Sequence, residues 1–175
     1  MHNRIGQGID IHQLEVGTPL IIGGVSIPFH KGSRGHSDGD VLYHAIVDAL
    51  LGSLALGDIG MHFPSDDARW KDADSRKFLE HVFSLIKEKG YSVNNVDSVI
   101  ILQKPALAPH ILGMRKNIAQ ILSTDLTQIS VKATTTDNLG YIGKGEGIAA
   151  AAAVMAAFVS VAPQLGTWPI ISWFT

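Results

Sequence analysis

The chain has 175 residues with 14 basic and 16 acidic side chains, a net charge of -2 and no run of Lys or Arg, which excludes the electrostatic footprint of a nucleic-acid binder. It contains no cysteine, so disulfides and thiolate ligands are excluded and any metal must be held by nitrogen and oxygen. The length suits one domain, and a charged fraction of 17% against about 25% in ordinary soluble domains suggests surface hidden in an oligomer, a large neutral Gly/Ser/Thr fraction being the other explanation.

Met1-His2-Asn3-Arg4 leads straight into strand-like sequence with no apolar signal region, which reads as a cytoplasmic protein, or one of the plastid stroma in a mature, trimmed form. Ile5 to His12 reads as a strand, and Leu20 to Ile27 as a hairpin whose Gly23-Gly24 pair supplies the positive φ of a tight turn. A polar loop, Lys31 to Gly39, precedes a helix from about Asp38 to Leu56, capped by Ser37 or Asp38 and ended by Gly57 and Gly60. Met61 to Ala73, with Pro64 and Ser65-Asp66-Asp67, reads as an exposed loop able to close over a ligand. Asp74-Ser75-Arg76 opens an amphipathic helix that ends at Gly90. A β-rich run, Tyr91 to Gln103, follows; Pro105 and Pro109 break it before a helix over Ile111 to Leu122. Ile129 to Thr135 alternates as a strand, and Gly140 to Gly147 is a loop. Ala149 to Val159 has helical propensity; the surrounding apolar stretch, Gly147 to Val161, is too short and too weakly hydrophobic to span a bilayer. Residues 1–160 form the single domain and 161–175 an apolar C-terminal tail.

The chemistry concentrates in Asp10-Ile11-His12 and in the segment from His36 to His44. Residues two apart on a strand face the same side, so Asp10 and His12 can converge on one cation, and His44 from the first turns of the helix can be the third ligand. Two histidines and a carboxylate form a zinc set with an open fourth position, as a catalytic site requires. The free amides at the start of that helix, beside His36 and Ser37, favour phosphate. Asp40 and Asp48, one turn either side of His44, are candidates to orient its imidazole, a capping or solvent-facing role being the alternative.

Nine segments together resemble one family. They are Gly6-x-Gly8-x-Asp10-x-His12, Ile22-Gly23-Gly24-Val25, His36-Ser37-Asp38-Gly39-Asp40, His44-Ala45, Asp48-Ala49-Leu50-Leu51-Gly52, Ala55-Leu56-Gly57-Asp58-Ile59-Gly60, Phe63-Pro64, Lys132-Ala133-Thr134-Thr135-Thr136 and Gly145-Glu146-Gly147-Ile148-Ala149. The resemblance is to the 2-C-methyl-D-erythritol 2,4-cyclodiphosphate synthases and covers Ile5 to about Val159. It implies a metal-dependent phosphorus-oxygen lyase of the non-mevalonate isoprenoid route. Such an enzyme cyclises 4-diphosphocytidyl-2-C-methyl-D-erythritol 2-phosphate and releases CMP.

The resemblance also implies that Gly147 to Val159 is a strand, against its propensity. The fold class is then α+β: a mixed four-stranded β-sheet with helices packed on one face, plus the small hairpin, in a homotrimer whose sheets face a central channel. Active sites lie between subunits. Zn2+, or another divalent transition metal, is held by Asp10, His12 and His44, and Mg2+ or Mn2+ on the substrate diphosphate is bound by Asp137, where many relatives carry glutamate. His36 and Thr135 stabilise the transition state. Ser37, Asp58, Ile59, Gly60 and the loop Phe63-Pro64-Ser65-Asp66-Asp67 contact the phosphate and methylerythritol end. Leu102-Gln103-Lys104-Pro105-Ala106-Leu107-Ala108, Thr134 and Thr136 contact cytidine and diphosphate, with Tyr141 and Lys144 completing the substrate set. Lys144 stands where an arginine often faces an isoprenoid diphosphate in the central channel. Two rival readings remain open: a metal-dependent phosphohydrolase that activates water on the same triad, and a trimeric metal-stabilised binding module.

Overall fold

The computed structural model describes residues 3–159, so the tail at 161–175 lies outside the described residues. The first strand, β1 (Asn3–Val16), alternates strictly: Gly6, Gly8, Asp10, His12 and Leu14 turn toward the helices, and Ile5, Ile9 and Ile11 turn away. β2 (Leu20–Ile22) and β3 (Val25–Ile27) form the hairpin, with Gly23 and Gly24 both at positive φ, as expected. β4 (Lys31–Arg34) corrects the sequence reading. This stretch of the expected loop pairs antiparallel with the end of β1, Gln13 opposite Arg34, and makes the main sheet five-stranded.

Helix α1 (Val41–Ser53) is buried almost all round, because β1, β7, α3 and the hairpin surround it. Its cap is Asp40, whose carboxylate accepts from the amides of Leu42 and Tyr43; neither Ser37 nor Asp38 caps it. The same carboxylate accepts from Gly23 and Gly24 at 2.9 and 2.7 Å and so ties the hairpin to the helix. α2 (Ile59–His62) and a 3-10 turn at Ala68–Trp70 give order to the loop region, and α3 (Arg76–Glu88) follows. β5 (Tyr91–Ile101), α4 (Ile111–Ile121) and β6 (Ile129–Thr134) stand close to where the pattern predicts, and α5 (Gly140–Gly143) is a single turn within the expected loop.

The final segment is a strand, β7 (Gly147–Phe158), hydrogen-bonded to β1 on one side and β5 on the other. Its alanines overcome their helical propensity because both edges of the segment are paired and α1 lies against its inner face, where Ala150, Ala152 and Ala156 are buried. The sheet order is β4-β1-β7-β5-β6, mixed, with only β5 and β6 parallel among its neighbouring strands. Helices cover one face, and the other exposes Ile5, Ile9 and Ile11.

Candidate metal centre

Asp10 and His12 rise from the helix-covered face of β1, and α1 brings His44 against them. Asp10 Oδ2 lies 2.9 Å from His12 Nε2 and 3.0 Å from His44 Nδ1, and the two nitrogens are 3.2 Å apart. The outer nitrogen of each ring has its own partner. His12 Nδ1 is 3.0 Å from the carbonyl of Arg34 on β4, to which it donates. His44 Nε2 is 2.8 Å from the hydroxyl of Ser75 at the start of α3, and Phe78 stacks on the ring. With both outer nitrogens protonated, the inner pair and the carboxylate present three lone pairs to one point. Three facing acceptors need positive charge between them. Their separations fall just short of the ~3.3 Å edge expected for tetrahedral ligands about 2.0 Å from zinc, so this donor set fits a divalent ion.

Protons on the inner nitrogens are the other way to supply that charge, and Asp10 responds to them. Burial alone would raise the Asp10 carboxyl, but hydrogen bonds and charge from His12 and His44 outweigh it and hold Asp10 well below the usual carboxylate range. Burial lowers His12, the bond to Asp10 raises it, and the balance is upward.

Beside the triad lies a cleft of about 260 Å³ containing the sequence-predicted His36, Ser37, Ile59, Gly60, Phe63 and Ser65, together with Trp70 and Phe78. Phe63 stacks on Phe78 with centroids 4.4 Å apart, and Trp70 meets both rings edge-on. His36 Nε2 is 3.3 Å from the carbonyl of Asp67, which draws the 3-10 turn toward the cleft. Asp58 caps α2 through the amide of Met61; Pro64 is half-buried, and Asp66 is exposed.

A second cleft, about 610 Å³, is formed by Leu102 to Ala108, Ile111, Ala133, Thr134 and Thr135. Asp137 follows it in the left-handed region (φ 50°), with its amide 3.4 Å from Thr135 Oγ1, while Thr136 Oγ1 donates to Leu139 O at 2.8 Å. Tyr141 packs over Gly147, and Lys144 is exposed. In one chain the two clefts do not meet: β1 and β6 are three strand intervals apart, about 14 Å. Thr135 therefore stands apart from His36, its expected catalytic companion.

Neither Asp40 nor Asp48 orients His44. Asp40 is consumed by the four amides it accepts from, and Asp48 by the amide of Ile59 at 2.7 Å. For the same reason the amides of Leu42 and Tyr43, in the first turn of α1, are not free for phosphate. The hydroxyls that do reach His44 Nε2 are those of Ser75 at 2.8 Å and Ser37 at 3.2 Å; the sequence marks Ser75 only as a helix opener, since no periodicity marks a serine whose hydroxyl makes no cap. Trp70 and Phe78 were missed as site residues in the same way.

A family model described as the YgbB family matches residues 3–157. A curated relative from Bacillus velezensis, named 2-C-methyl-D-erythritol 2,4-cyclodiphosphate synthase, is 59% identical over 152 residues, 87% of this chain and 96% of its own length. Among solved structures, a CDP complex of IspF from Plasmodium falciparum is similar with a TM-score of 0.80 and 38% identity over 90% of this chain and 97% of that one. The bifunctional IspDF of Campylobacter jejuni is similar with a TM-score of 0.87 and 38% identity over 91% of this chain, which spans 43% of that longer one.

Proposed function

This chain belongs to the YgbB family, and we propose that it converts 4-diphosphocytidyl-2-C-methyl-D-erythritol 2-phosphate into 2-C-methyl-D-erythritol 2,4-cyclodiphosphate and CMP, the reaction of the synthases it matches. The observation that carries the reading is the triad of lone pairs, 2.9 to 3.2 Å apart, at the edge of an aromatic cleft.

An oxygen of the 2-phosphate attacks the β-phosphorus of the same molecule; the new P–O bond closes the ring, and the bond from that phosphorus to the CMP oxygen breaks. The substrate is its own nucleophile, so the protein's task is alignment and charge neutralisation. Asp10, His12 and His44 hold Zn2+ or another divalent transition metal, which supplies Lewis acidity to a phosphate oxygen. His36 and Ser37, at the mouth of the cleft, face the same phosphate. Asp58, Ile59, Gly60 and the Phe63 to Asp67 loop enclose the methylerythritol end, with Phe63 excluding water. The larger cleft takes the cytidine and diphosphate: Thr135, whose hydroxyl proton is free, donates to a phosphate oxygen, Thr134 and Thr136, whose hydroxyls donate to the carbonyls of Thr135 and Leu139, contribute through their backbone, and Asp137 would hold Mg2+ or Mn2+.

The separation of the two clefts supports a homotrimer in which each active site is completed by a neighbouring copy. The apolar sheet face of Ile5, Ile9 and Ile11 supports the same assembly, since monomers rarely leave such a patch in water. No helix among the described residues is long and apolar enough to cross a membrane. A cytoplasmic location is part of the proposal, because a charged cytidine diphosphate ester stays in the compartment that makes it.

The test is phosphorus NMR of the purified protein with the substrate, with and without divalent metal, beside a His44→Ala variant. Stoichiometric CMP and a cyclic diphosphate, lost in the variant, are expected. Linear phosphate products point to a hydrolase, and no turnover in metal-replete trimer leaves a binding module.

A further inference from the structure

Ser75 is fully buried, and its hydroxyl has three polar neighbours, Asp38 Oδ1, His44 Nε2 and Ser37 Oγ. A serine hydroxyl offers one proton and two lone pairs. Asp38 can only accept, and its second oxygen also accepts from the Ser75 amide at 3.2 Å, so the Ser75 proton goes to Asp38. The lone pairs of Ser75 then accept from His44 Nε2–H at 2.8 Å and from the Ser37 hydroxyl at 3.2 Å. Ser37 is also 3.2 Å from His44 Nε2, but the Ser75 contact is the shorter and its proton is already committed. Every hydrogen bond in this chain runs one way.

We propose that Asp38 and Ser75 are a positioning relay that fixes His44 as the Nε2–H tautomer and aims Nδ1 at the metal. The inference rests on the reading of Asp10, His12 and His44 as metal ligands. Asp38 suits the task because its backbone is anchored: its amide donates to Ala73 O at 3.0 Å, immediately before α3. The relay therefore couples the seating of α3 to the orientation of a ligand carried by α1. The carboxylate also makes the ring a better donor through the interposed hydroxyl, as outer partners of metal-bound histidines do.

The test uses Zn2+ alone as probe, on the full chain. Chelator competition should show Zn2+ binding weakened 10- to 100-fold, roughly, in Ser75→Ala and in Asp38→Ala, while Ser75→Thr, which keeps the hydroxyl, stays near wild type. Nitrogen-15 NMR of the Zn2+-loaded wild type should place zinc on His44 Nδ1, with a slowly exchanging Nε2 proton whose exchange quickens in Ser75→Ala. Wild-type affinity and exchange in Ser75→Ala, or zinc on Nε2 in the wild type, overturns the relay. If Ser75→Ala does not fold, the wild-type spectrum decides alone. His44→Ala in the same competition separates the two readings: unchanged Zn2+ binding there removes the metal site itself, whereas its loss alongside an unaffected Ser75→Ala removes only the relay.

Discussion

Gly8→Ala tests whether the metal site depends on how closely α1 rests on β1. A Cβ at Gly8 would lie 2.1 Å from the carbonyl oxygen of Ala45 and 2.7 Å from the amide of Ala49, where real Cβ atoms keep at least 3.0 Å. Strand and helix must part by the difference, 3.0 minus 2.1, or 0.9 Å. That movement lies directly beneath the gap between Asp10 and His44, so their 3.0 Å separation opens toward ~4 Å, beyond the ~3.3 Å edge of a tetrahedral zinc site. Overpacking of this kind costs about 1–3 kcal/mol, and an ångström of misplacement at a reacting centre costs about 100-fold in rate. Gly52→Ala is the control. It lies on the exposed side of the same helix with nothing nearer than Gln7 O at 3.8 Å, and should gain about 0.5–1 kcal/mol from helix propensity. Urea unfolding of both variants, with Zn2+ competition on each, reads the two effects. Wild-type stability and zinc affinity in Gly8→Ala, or equal damage from Gly52→Ala, would refute the reasoning.

Three further outcomes are expected. Burial pushes the Asp40 carboxyl up to about 6, with the charge of Asp38 adding to the rise and the amides of Gly23, Gly24 and Tyr43 opposing it. A group that binds its proton more tightly when folded contributes stability below its unfolded pKa, 3.8, and loses it as pH rises through about 6. The unfolding free energy of wild type minus that of Asp40→Asn should therefore fall by about 2 kcal/mol between pH 4 and pH 7, and a flat or rising difference contradicts the assignment. Ile9→Asp, on the bare sheet face, should shift the assembly toward monomer in sedimentation and remove turnover while leaving Zn2+ binding intact; a trimer that persists with full activity rules that face out as the interface. Glu80→Gln breaks the exposed pair with Arg76 one turn away, and should change thermal stability by no more than about 0.5 kcal/mol; a larger loss means the pair has partners beyond those seen here.

The sequence carried the fold wherever one periodicity dominated. The alternation of β1, the amphipathic α3 and the Gly23-Gly24 turn were legible because each is specified by its own residues. Two elements were not. Lys31 to Arg34 has no apolar alternation, and it becomes β4 only because β1 runs on past His12 and offers it an edge. β7 reads as helix on propensity, and only the resemblance made it a strand. The metal ligands were legible from spacing, whereas their supports were not: the Arg34 carbonyl comes from the unrecognised strand, and Ser75 from a helix start whose cap its hydroxyl does not make. Long-range partners of this sort leave no trace in local pattern.

The spacing Gly6-x-Gly8-x-Asp10-x-His12 then has a mechanical explanation. Gly6 approaches Ala49 and Ser53, and Gly8 approaches Ala45 and Ala49. Two residues along β1 thus correspond to four residues back along α1. Two strand residues advance about 6.6 Å and one helical step of four about 6.0 Å, so the two elements stay nearly in phase as they run in opposite directions. Continuing the phase by one step places residue 10 opposite the turn that carries His44, and the structure puts Asp10 Oδ2 3.0 Å from that ring. The glycines bring the helix close, and where the close approach ends the same face of the strand turns to ligands. A larger residue at 6 or 8 would lift His44 away from Asp10 without touching either, so the glycines belong to the metal site as much as the groups that face the ion.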